Sequence, residues 1–96
     1  MRISEHEKTV IIEAVKDVDP AAQVWLFGSR TSDAKKGGDI DIAILSKPIR
    51  QAPMNENKIR RFICNKIGEQ KIDIISSEDG GDPFFRLAVS EGIKLS

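Results

Sequence analysis

The chain has 96 residues, 40% of them hydrophobic, and its 15 basic and 15 acidic side chains cancel to a net charge of 0. That balance supplies no electrostatic footprint for duplex nucleic acid or an anionic membrane, and no apolar run reaches membrane-spanning length. The single cysteine, Cys64, excludes an internal disulfide and suits a reducing compartment; with no apolar signal segment in residues 1–7, the expectation is one cytoplasmic domain spanning residues 1–96.

Ser4-Glu5-His6-Glu7 is a capping-box sequence, in which Ser4 caps the N–H of Glu7 and Glu7 reaches back. Val10, Ile11, Ala14, Val15 and Val18 follow at helical spacing. They predict a helix to about Asp17, stopped by Asp19-Pro20 because the residue before proline disfavours helix. His6 falls in its first turn, away from any expected acid–base role. Gln23 to Phe27 is an uncharged strand, which argues for cover on both sheet faces, with Trp25 and Phe27 as core. Gly28-Ser29 then makes a turn. Gly28 permits close backbone approach, and N–H groups at a helix start can hold an anion; the plain alternative is an ordinary turn with a serine cap. Arg30 either braces an anion there or pairs with Asp33. Residues 31–36 read as a short helix or turn, Lys35 and Lys36 as solvated loop, and Gly37-Gly38 as the lead into a second strand.

That strand, Asp39-Ile40-Asp41-Ile42-Ala43-Ile44-Leu45, alternates. Ile40, Ile42 and Ile44 share one face; Asp39, Asp41, Ala43 and Leu45 share the other. Residues two apart on a strand lie roughly 7 Å apart on the same side. Two acids on an apolar strand are costly without a cation or donors, and carboxylate oxygens suit Mg²⁺. Residues 46–53, with Pro48 and Pro53, read as a loop. A helix over 55–67 follows, with Ile59, Phe62, Ile63 and Ile67 as its stripe and Gly68 as its C-cap. Lys58, Arg60, Arg61 and Lys66 read as a solvated face. Residues 71–76 form a third strand in which Asp73 sits among Ile72, Ile74 and Ile75. By the cost of burial, Asp73 is either a buried structural acid with a partner or a third carboxylate of the site. Asp82-Pro83 is an N-cap with proline at the first helical position; the helix it opens ends at Gly92, and residues 93–95 read as a tail.

Three features together carry a resemblance: Phe27-Gly28-Ser29 after a hydrophobic strand, Asp39-Ile40-Asp41 about ten residues on, and Asp73 in Lys71-Ile72-Asp73-Ile74-Ile75. The chain resembles the nucleotidyltransferase superfamily that includes DNA polymerase beta, and within it the minimal nucleotidyltransferases of bacteria and archaea. One departure is Gly38, where the family often has serine. The resemblance implies an α/β fold, a single small nucleotidyltransferase domain with a short mixed sheet backed by helices. It implies Mg²⁺-dependent transfer of a nucleoside monophosphate, AMP from ATP, to an acceptor hydroxyl. Asp39, Asp41 and Asp73 would be catalytic and would ligate two Mg²⁺ ions; Gly28, Ser29 and Arg30 would bind the triphosphate. Minimal relatives further imply a small helical HEPN-type partner protein, with a tyrosine of that partner as acceptor, an antitoxin role, and a homo- or hetero-oligomer. The alternative is an antitoxin or binding module that masks its partner with little or no catalysis. Neither a membrane nor a nucleic-acid partner is expected.

Overall fold

The computed structural model describes residues 3–28 and 39–96; the expected short helix over 31–36, with Ser29 and Arg30, lies outside them. Helix α1 (Glu5–Val18) opens with the capping box: Ser4 Oγ accepts from Glu7 N at 3.1 Å, and Glu7 Oε1 accepts from Ser4 N at 2.9 Å. It buries Val10, Ile11, Ala14 and Val15, and Asp19 C-caps it.

Strand β1 (Gln23–Phe27) runs antiparallel to β2 (Asp39–Leu45), which runs parallel to β3 (Lys71–Ser77); with β4 (Ile93–Lys94) they give a mixed sheet of order β3-β2-β1-β4. The parallel pair requires a crossover, and α2 (Lys47–Gln51) and α3 (Pro53–Ile67) supply it. Period-two alternation divides the sheet into two faces. On one, Val24, Leu26, Ile40, Ile42, Ile44 and Ile72 pack with α1, Ile49 of α2, and Ile59 and Ile63 of α3. On the other, Ala43, Trp25, Leu45 and Ile75 pack with Phe85 and Ala88 of α4 (Pro83–Glu91). Trp25 and Phe85 meet edge-on, with centroids 5.8 Å apart.

Two expectations are corrected. Residues 46–53 are not a loop: Ser46 caps α2 by accepting from Ile49 N at 3.2 Å, Pro48 lies in the first turn of α2, and Pro53 starts α3. Both prolines occupy positions whose N–H groups a helix leaves unbonded anyway, so they open helices rather than interrupt a chain. The C-terminal residues are likewise no tail. Strand β4 (Ile93–Lys94) pairs antiparallel with β1, Leu95 N donates to Val24 O at 2.8 Å, and Leu95 is buried. The approach depends on Gly92, where a Cβ would sit 2.6 Å from Leu26 O and 2.8 Å from Ala88 O.

Candidate active site

The second sheet face carries the carboxylates. Asp39 and Asp41 project from the start of β2 on the side of Ala43 and Leu45, as the alternation requires. The parallel register sets Asp41 beside Asp73 and Asp39 beside Lys71. Asp73 therefore joins the pair on Asp-x-Asp, and its side chain is hydrogen-bonded to that of Asp41. Asp73 is, however, exposed rather than buried among its isoleucines. β3 is the edge strand, and its isoleucines divide between the faces: Ile72 and Ile74 join the main core, and Ile75 packs towards α4. The burial cost therefore does not bear on Asp73. What places it with the other acids is the register.

Three acids at adjoining register positions repel one another. The Asp41 carboxyl is pushed above its ordinary value of 3.8, first by partial burial, then by its hydrogen bond to Asp73, then by the charges of Asp73 and Asp39; Lys71 opposes the rise. Lys71 was not singled out from the sequence. The available signal was its place two residues before Asp73, hence on the same face of the strand.

Gly28, at the end of β1, belongs to this site in two ways. Its φ is +75°, a conformation that L side chains avoid. A Cβ there would overlap Asp41 Oδ2 and lie 3.1 Å from its Cγ, so the backbone packs directly against the central carboxylate. Asp39 and Gly28 each engage further groups of the chain.

Among the described residues, no three Asp, Glu, His or Cys side chains are gathered closely enough to hold a metal alone. Mg²⁺ seldom requires such a cage; it takes one or two carboxylates and completes its octahedron with water and substrate phosphate. The all-oxygen donor set, with Asp41 and Asp73 already in contact and Asp39 one same-face step away, fits that habit.

A four-stranded mixed sheet with an Asp-x-Asp strand, a glycine turn packed on the second acid, and a further acid in register define a nucleotidyltransferase-type α/β domain. The family model described as Polymerase beta, Nucleotidyltransferase matches residues 9–96, and the chain belongs to that family. Its class of chemistry is nucleotidyl transfer. No curated protein matches the chain. Among the described residues, no helix is long and apolar enough to cross a membrane.

Proposed function

We propose that this chain transfers AMP from ATP, with Mg²⁺, to a hydroxyl of an acceptor, and that the acceptor is a tyrosine on a small helical partner protein of the HEPN type. The observation that carries the reading is the register of β2 against β3, which sets Asp41 beside Asp73 with Asp39 two residues before. Asp39, Asp41 and Asp73 would hold the divalent ions, and Gly28, with Ser29 and Arg30, would receive the triphosphate. The bound ions would offset charge on the phosphates and favour the ionised acceptor oxygen.

The remaining work falls to the chain itself. The acceptor oxygen bonds to the α-phosphorus, the bond from that phosphorus to the oxygen of the departing pyrophosphate breaks, and the hydroxyl proton passes to Asp73. Asp73 is suited to this task because it is exposed while still touching Asp41. Gly28 fixes Asp41 by filling the space beside it with backbone.

A masking role without catalysis draws support from the exposed apolar side chains Phe84 and Leu87, which are 62% and 58% exposed and three apart on α4. Incubation with labelled ATP, Mg²⁺ and the protein encoded beside this chain separates the two readings. Transfer gives an AMP adduct on the partner by mass spectrometry and releases pyrophosphate; partner neutralisation without an adduct supports masking.

A further inference from the structure

A groove runs along the outer edge of β3. Strand residues present N–H and C=O to the same side, alternating along the chain. Ser77 O accepts from Ser46 N on the β2 side at 2.9 Å, so Ile72, Ile74 and Ser76 present their backbone outwards. Ile72 O is already taken by Arg60 Nε at 2.8 Å. Among the described residues, the outward groups of Ile74 and Ser76 meet no partner. They floor a cavity of about 400 Å³, walled by Arg50 and Glu56 from the crossover helices and by Asp82, Phe84 and Phe85 at the start of α4.

The charges in this groove are not equivalent. Glu56 Oε2 accepts from Ser76 Oγ at 3.0 Å, and its other oxygen lies 3.9 Å from Arg60. Asp82 Oδ1 caps α4 by accepting from Phe84 N at 3.0 Å. Both acids are engaged within the chain. The Arg50 guanidinium, among the described residues, has no ion-pair or hydrogen-bond partner. The groove thus offers strand-pairing groups on its floor, an exposed aromatic ring on one wall and an uncommitted cation on the other.

We propose that this groove binds an extended segment of a partner polypeptide, which adds to β3 as a fifth strand and sets a carboxylate against Arg50. Main-chain pairing supplies affinity, as in other strand-addition complexes, and side-chain pockets supply selectivity. A guanidinium–carboxylate pair at the rim adds charge complementarity. The proposal is independent of nucleotidyl transfer, since none of the groove's residues is one of the site carboxylates.

Panning a phage-displayed random heptapeptide library on the immobilised full chain tests it. The expected result is enrichment of peptides rich in β-branched and aromatic residues that carry Asp or Glu. A synthetic enriched peptide should slow amide exchange at Ile74 and Ser76, and should lose at least about tenfold in affinity against Arg50→Glu. Arg50 is exposed, so that variant should fold. Methylation of one peptide backbone nitrogen should weaken binding in the unaltered protein. No enrichment, or binding indifferent to both changes, overturns the proposal. So does a concentration-dependent dimer that Arg50→Glu abolishes, because the groove's occupant is then a second copy of this chain.

Discussion

Asp41 and Asp73 stand side by side in the parallel register of β2 and β3, with their side chains hydrogen-bonded to each other. Two carboxylates in contact cannot both ionise without cost; partial burial and that cost together raise the pKa of Asp41.

The first consequence is a stability signature. The folded-state pKa of Asp41 is raised, so between its ordinary value and the raised one the native state binds more protons than the unfolded state. Stability from this group is complete below pH 3.8 and is lost as pH rises through the folded pKa. At neutral pH without divalent cations, Asp41→Asn should therefore raise Tm, and the gain should vanish in acid below the ordinary value. Thermal melts in EDTA across pH check this; a lowered neutral-pH Tm in the variant contradicts it.

Divalent cations should reverse that order. An ion bound only by the native state stabilises it by about 2.7 kcal/mol at a hundredfold excess over Kd. Mg²⁺ or Mn²⁺ should raise the Tm of the unaltered protein and do little for Asp41→Asn. Lys71→Met should act in the opposite sense to loss of an acid. Its positive charge now offsets part of the repulsion at Asp41, so its removal should tighten binding of Mg²⁺ alone, measured by calorimetry.

Gly28→Ala tests the contact between turn and acid. It places a side chain at a positive φ and drives a Cβ into Asp41 Oδ2. Non-glycine residues in such regions cost of order 1–3 kcal/mol, so a Tm loss of several degrees is expected for a domain of this size. Binding of Mg²⁺-ATP should weaken beyond what the stability loss explains, because Asp41 must move. Unchanged nucleotide affinity in the folded variant would separate Gly28 from the site.

Gly92→Ala tests the closure of the sheet by β4. Its φ of −92° is ordinary, so the penalty comes from the Cβ meeting Leu26 O, Ala88 O and, less closely, Phe27 Cβ. Overpacking of this kind costs about 1–3 kcal/mol. Chemical denaturation should show the loss, with faster amide exchange at Leu95, whose N–H bonds Val24 O.

Much of this was legible in the sequence because alternation and capping are local signals. β1, β2, the capping box, the Asp82-Pro83 start and the faces of Asp39 and Asp41 all follow from spacing. The errors arose where local signs have two readings or where partners are distant. Pro48 and Pro53 suit a loop or a helix start equally well; the cap at Ser46 decides for Pro48, whereas Pro53 opens α3 behind Ala52 with no side-chain cap to signal it. A bridge of two residues such as Ile93–Lys94 has no periodicity to detect. Asp73 was assigned through an assumed burial, but an edge strand leaves it exposed; its place beside Asp41 depends on a parallel register set by the α2–α3 crossover. The groove on β3 draws on four elements, and no single stretch announces it.

Nucleotidyl transfer by the Asp39, Asp41 and Asp73 group is tested most directly by transfer of label from α-labelled ATP to the partner protein. The unaltered chain is to be compared with the Asp39→Asn, Asp41→Asn double variant at matched, verified partner binding. Loss of ion-mediated charge stabilisation and of hydroxyl activation together should cut the rate by orders of magnitude while pairing with the partner survives. Transfer by the double variant at the unaltered rate, or a partner neutralised equally by both chains with no AMP adduct from either, would contradict it.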